Sequence, residues 1–208
     1  MLSQLTRSVV AKFRAFKGRG MSTAAMEGGA GPDATRYNTG MQVMHWASGL
    51  AVLGCVGFVQ AAQWTKGKDK MRLMFLHKSC GLLAAIVITP RLAIRLASTI
   101  PKHIPGPMWE TLAANATHLS LYGFLIFMPA SGVAMGYWGG KGLPFFYTTV
   151  KGADKADGEI AKVSYKYHKL IGHYAQYLIP MHVGAVGYHL AMKGTNILPR
   201  ILSLGKKV

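Results

Sequence analysis

The sequence predicts an all-α fold, a four-helix up-down bundle that crosses a membrane. Three observations predict it. Four apolar runs are each long enough to cross a bilayer as a helix, which takes about 20 residues. Half of the 208 residues are apolar and only 15% are charged, against roughly a quarter charged in an ordinary soluble domain. The connections between the runs are short enough to join antiparallel neighbours, which places both ends of the bundle on one side. Lipid offers the backbone no hydrogen-bonding partner, so each run closes its own bonds as a helix.

Residues 1 to 30 stand apart from these runs. Arg7, Lys12, Arg14, Lys17 and Arg19 precede the first acid, Glu27, and Leu2, Leu5, Val9, Phe13 and Phe16 fall three or four residues apart. An Arg-rich, acid-poor amphipathic N-terminus is the pattern of a mitochondrial targeting segment, or of a basic arm lying on an anionic membrane. Gly28-Gly29-Ala30-Gly31-Pro32 then reads as a linker.

The first span is expected over Met41 to Trp64, uncharged throughout. A basic turn, Lys66 to Lys70, leads to a second span from Leu73 to Leu96. A proline-rich loop, Ile100 to Pro107, precedes a third span within Thr111 to Tyr137. The polar stretch from Trp138 to Ser164 reads as a long connection, and Tyr165 to Met192 as the fourth span. Prolines 90, 129 and 180 are expected to kink or end their helices. The bundle domain covers 36–202 and leaves a basic tail, 203–208.

The formal net charge of +17 would ordinarily suggest nucleic acid. Here Lys and Arg sit between and beside the apolar runs, where they meet anionic lipid headgroups. The expected partner is therefore membrane lipid, with no nucleic acid. A surplus of basic residues on the side of the termini points to termini in the mitochondrial matrix. Cys55 and Cys80 lie inside apolar runs and read as small buried residues, without zinc-type or covalent-haem spacing. Gly136 to Gly142 lacks the Ser or Thr and the preceding strand of a phosphate loop, so it reads as a turn.

The chemistry lies in the histidines. His168 and His182 are fourteen residues apart on the fourth span, which returns to within about 40° of one helix face after a rise of about 21 Å. With the termini on side I, the up-down order places His45 near side I and His77 near side II. His168 then falls near side II and His182 near side I. Depth therefore pairs His45 with His182, and His77 with His168. Ionisable residues within a membrane usually serve function, although a lone histidine there can simply be a satisfied core residue. Two layers of paired imidazoles suit two haems, each clamped on both faces between helices. Zinc would want about four ligands round one ion. Arg91 and Arg95 are candidate partners for propionates on side I, with Lys78 and Lys169 as weaker ones on side II. His118 is a candidate for interfacial hydrogen bonding, or for contact with a propionate or quinone. His189, seven residues after His182, is the rival ligand, while His173 and His103 read as peripheral.

These residues, in this order, resemble the bacterial-type cytochrome b561 family. The resemblance runs from Arg36 to Leu202. It includes Arg36-Tyr37 before Val43-Met44-His45-Trp46, and His77-Lys78-Ser79-Cys80-Gly81 before Arg91-Leu92 and Arg95-Leu96. It continues through the proline-rich loop, His118 to Pro129, His168 with His182, and Lys193-Gly194-Thr195-Asn196 with Leu198-Pro199-Arg200. It implies a membrane protein with two b-type haems whose axial ligands are His45, His77, His168 and His182. It also implies transmembrane electron transfer, with a quinone such as ubiquinone as the usual partner. Cytochrome b subunits that anchor hydrogenases and formate dehydrogenases are more distantly similar. The N-terminal extension and Pro180 depart from the family pattern. The extension turns the expected setting to the mitochondrial inner membrane, with a respiratory complex or a second copy of the chain as further partners. The other readings are a subunit bracing a larger respiratory complex and a haem-free carrier with a histidine proton relay.

Overall fold

A computed structural model describes residues 36–101 and 104–202. The N-terminal segment 1–30, His103 and the tail 203–208 lie outside the described residues. The described residues belong to one compact unit, and they are mostly helical.

Asn38 opens the bundle. Its side chain accepts from the Met41 amide at 2.8 Å, capping α1 (Thr39–Gln63). α2 spans Gly67–Ala97 and α3 spans Met108–Trp138. All three are long and apolar enough to cross a membrane. α2 and α3 continue through Pro90 and Pro129 without ending, which membrane helices tolerate where neighbours satisfy the freed carbonyl. α2 also begins well before the expected Leu73.

The fourth span corrects the expectation of one helix over Tyr165 to Met192. It is two helices, α4 (Gly158–Ala175) and α5 (Leu178–Lys193). Pro180 has no N–H to give the Gln176 carbonyl. Ile179 takes that carbonyl instead, at 3.3 Å, and the Tyr177 amide closes onto Tyr174 at 3.2 Å. The chain is thus re-aimed at Gln176-Tyr177. Asp157 caps α4 by accepting from the Glu159 and Ile160 amides. Gly194, at φ 61°, ends α5 in the left-handed conformation that glycine adopts without penalty.

The connection before α4 contains a hairpin that the sequence reading did not anticipate. β1 (Leu143–Phe145) pairs antiparallel with β2 (Thr148–Val150) around Phe146-Tyr147. Gly142, at φ 74°, has no room for a side chain, since a Cβ there would lie 2.6 Å from the Val150 carbonyl oxygen. Ser79 of α2, fully buried, donates to the Pro144 carbonyl and accepts from the Phe146 amide at 3.0 Å. The hairpin is therefore pinned to α2 two residues from His77.

A short helix, α6 (Pro199–Leu202), closes the described chain. The Tyr37 amide donates to the Arg200 carbonyl at 3.0 Å, and Trp46 Nε1 donates to the Ile201 carbonyl at 3.0 Å. Both ends of the bundle therefore lie on one side, as the up-down order requires.

The core is thin. Ala51, Ala84, Ile88, Phe124 and Leu125 are buried together, with Ala175, Leu178 and Ile179 packed against them. Leu50, Leu53, Ile86, Leu119, Ile126 and Val183 face outward and are exposed. Apolar side chains around the outside of a bundle fit lipid as the surrounding solvent. α1 and α2 approach closely through small residues. A Cβ on Gly54 would touch Cys80 Sγ at 3.5 Å, and one on Gly81 would touch Cys55 Sγ at 3.6 Å. Both cysteines are free thiols.

Candidate functional site

The apolar core separates two polar layers, and each of the first three helices contributes one group to both. On the side of the termini the layer holds His45 of α1, Arg91 of α2, His118 of α3 and His182 of α5. On the other side it holds the Cys55 carbonyl of α1, His77 of α2, Ser131 of α3 and His168 of α4. We call them layers I and II. The fourth span reaches both because His168 and His182 lie on either side of its break.

The structure brings together the rings that the sequence pairs by depth. The centroids of His45 and His182 are 6.1 Å apart, and those of His77 and His168 are 6.3 Å apart. An imidazole nitrogen binds a first-row metal at about 2 Å, so two rings opposed across one ion stand roughly 6 Å apart between centroids. Both pairs have that spacing.

In layer II the ring orientations follow from the hydrogen bonds. His77 Nδ1 lies 2.8 Å from the Cys55 carbonyl oxygen, which can only accept, so Nδ1 carries the proton and Nε2 keeps its lone pair. The Cys55 thiol in turn donates to the His77 carbonyl. His168 Nδ1 lies 2.9 Å from Ser131 Oγ. That hydroxyl gives its own hydrogen to the Phe127 carbonyl at 2.8 Å. It therefore accepts from His168 and leaves Nε2 free there too. A Cβ on Gly132 would lie 3.4 Å from His168 Cε1, so the glycine makes room for the ring.

Layer I is built differently. Arg91 donates to Ser48 Oγ, and its Nη2 lies 3.3 Å from His45 Nδ1. Arg91 and Arg95 both lie over the Tyr122 ring, at 5.8 and 6.0 Å. Arg91 Nε and Arg95 Nη1 are buried without an acceptor. Unpaired guanidinium donors inside an apolar bundle are costly, and an anionic carboxylate is the group that would satisfy them. His118 stands 5.5 Å from His182, ring to ring.

The remaining sequence candidates fall elsewhere. Lys78 and Lys169 are exposed. His173 is exposed against Tyr174 and Tyr177. His189 packs against Tyr188, with its Nδ1 buried and unpartnered. Among the described residues no group of three or more His, Cys, Asp or Glu is arranged to hold a metal ion. The sequence reading missed the parts played by Ser131 and the Cys55 carbonyl. For Ser131 the signal was a hydroxyl deep inside an apolar span, eleven residues beyond Ser120.

A cleft of about 410 Å³ opens between α1 and the break in the fourth span. Leu53, Val56 and Ile179 form its apolar wall, and Gln60, Gln176 and Tyr177 bring polar groups. The Gln60 amide donates to Gln176 Oε1.

Paired imidazoles at matched depth, orphaned buried cations beside one pair, and an apolar layer between the pairs define a class: multi-pass membrane bundles that hold flat, carboxylate-bearing metal cofactors between helices. The model of the prokaryotic cytochrome b561 family matches residues 36–203, and the chain belongs to that family, whose members bind b-type haem. Cytochrome b561 homolog 1 of Escherichia coli (strain K12) is 25% identical over 170 residues, covering 80% of this chain and 97% of that protein. A probable superoxide oxidase, CybB, of Yersinia pestis is 23% identical over 157 residues, covering 74% of this chain and 89% of that one. The protein is thus a membrane b-type cytochrome. The spacing of His45 with His182, and of His77 with His168, would let each pair hold the iron of such a group, and the unpaired donors of Arg91 and Arg95 would suit its carboxylates.

Proposed function

We propose that this chain carries electrons between two b-type haems, one at each histidine layer, with His45 and His182 as the axial pair of layer I and His77 and His168 as that of layer II. The observation that carries this reading is the matched spacing of the two ring pairs at opposite ends of the bundle. When bound, haem supplies a one-electron couple. The chain's part would be to hold each iron between two imidazoles, which would leave it no position for oxygen and favour electron transfer. Ser131 and the Cys55 carbonyl hold two of the rings, and the apolar core keeps water from the space between the layers.

The exchange partner in this proposal is a quinone, with ubiquinone as the expected form. The Gln60–Gln176 cleft supports it, since an apolar wall with a few hydrogen-bonding amides is the usual make-up of a small-molecule site. Superoxide is a donor to test beside quinol, because the Yersinia pestis relative is named a probable superoxide oxidase. An anion losing one electron to become oxygen would be drawn to the exposed Lys78 and Lys169 beside layer II. The proposed setting is the mitochondrial inner membrane, with the termini in the matrix. The acid-free basic residues before Glu27, and a family match that begins only at residue 36, support it. A second reading, a subunit bracing a larger respiratory complex, is favoured by the hairpin, whose Tyr147 is fully exposed.

The test is a reduced-minus-oxidised visible spectrum of the purified full chain, with haem counted per polypeptide. Two b-type haems that quinol reduces support the proposal. A folded preparation without haem overturns it. Co-migration with a large complex on a native gel would favour the bracing role.

A further inference from the structure

The two layers hold the same pair of imidazoles in opposite electrostatic settings. In layer II both rings give their outer Nδ1 proton to an acceptor, His77 to the Cys55 carbonyl at 2.8 Å and His168 to Ser131 Oγ at 2.9 Å. An acceptor at that nitrogen makes the ring a more basic ligand, and a more basic ligand favours the oxidised, more positive iron. In layer I, His45 Nδ1 faces Arg91 Nη2 at 3.3 Å. A ring that keeps its Nε2 lone pair for iron carries its proton on Nδ1, so Arg91 acts on His45 as a nearby positive charge, with no acceptor offered to that N–H. Arg95 adds a second cation, and both guanidinium groups keep a buried N–H without an acceptor. Cations held in a medium of low dielectric act strongly on a nearby redox centre and favour its reduced form. Haem carboxylates paired with them would offset part of that field. Glu110, near the same end, is taken by Lys193 and Tyr188 and does not cancel it.

The geometry points to an ordered pair of potentials. Ser131 and the Cys55 carbonyl, as positioning groups, make layer II the low-potential end. Arg91 and Arg95 make layer I the end where a single electron comes to rest. This inference rests on the two-haem reading above and deepens it.

The experiment is a potentiometric titration of the full-length holoprotein in lipid nanodiscs, following each haem band. Each band is assigned to a layer by its absence in His168→Ala or His182→Ala. Two transitions are expected, with the lower one belonging to layer II. Ser131→Ala should shift the lower transition upward by about tenfold in its equilibrium constant, about 59 mV for one electron, and leave the upper one in place. Ser131→Thr, which keeps the acceptor, should restore it. Arg95→Gln should move only the upper transition, downward, and Arg95→Lys should largely preserve it. A merely structural role for these residues would alter haem content or stability without moving one potential selectively. Two haems in the reverse order, or unmoved by Ser131→Ala and Arg95→Gln, would overturn the tuning while leaving the two-haem reading intact. A single haem or none would remove both.

Discussion

In layer II every ring is answered by an acceptor on a neighbouring helix. The α1 backbone comes near enough to His77 because Gly54 and Gly81 let α1 and α2 approach closely. The buried Ser79 fastens the hairpin beside the same layer. In layer I the rings meet mainly each other and two long cationic side chains, which retain unanswered donors. At one end the outer ring nitrogens are answered within the protein, whereas at the other two buried guanidinium groups keep donors without an acceptor. The same two imidazoles can thus serve different ends of an electron path, because the groups behind them set ring orientation, basicity and local charge.

That contrast can be broken at its open end first. Arg91→Leu should remove the buried cation that donates to Ser48 and stands beside His45, and with it most of the haem at layer I. Total haem per chain should fall by about half, and the layer II spectrum should persist. Equal loss from both layers would erase the distinction. At the closed end, Gly81→Leu would drive a branched side chain between α1 and α2, where even a Cβ touches Cys55 Sγ at 3.6 Å. Overpacking of this kind costs about 1–3 kcal/mol, and thermal unfolding should show it, with the layer II band perturbed before the layer I band. Ser79→Ala should loosen the hairpin by about 1–2 kcal/mol of hydrogen bonding. Limited proteolysis in the segment 145–148 should then quicken with little change in the visible spectrum. The smallest effect is expected at Glu110→Gln, which breaks the ion pair with Lys193 between the start of α3 and the end of α5. That pair is partly exposed and screened, so the cost should be about 1 kcal/mol or less and should shrink with added salt.

Much of this arrangement was legible in the sequence. Helix, length and up-down order follow from apolar runs that lipid forces into helices, so the placement of His45 near His182 and of His77 near His168 needs only the rise per residue. The position of Arg91 at the depth of His45 follows from the same counting, fourteen residues beyond His77 on α2. The division of the fourth span was only half legible. Pro180 marked a disturbance, but a missing amide disturbs the preceding turn, and the break falls at Gln176-Tyr177. The hairpin was hidden because two strands of three residues inside a glycine-rich connection leave no periodic signal, and its anchor, Ser79, lies more than sixty residues away. The acceptors behind His77 and His168 were hidden for a related reason. One is a backbone carbonyl, which every residue carries, and the other is one of two serines on a different helix. The Gln60–Gln176 amide pair joins residues 116 apart, and only the folded chain shows that they meet.

The central claim is that four histidines form two axial pairs, one at each layer. The direct test is haem content and the reduced visible spectrum of His45→Ala, His77→Ala, His168→Ala and His182→Ala, with His118→Ala and His189→Ala as controls. The account predicts two matching pairs of spectra: His45→Ala and His182→Ala lose one haem band, His77→Ala and His168→Ala lose the other, and both controls keep two haems. Loss of the layer I haem in His189→Ala, with retention in His182→Ala, would contradict it.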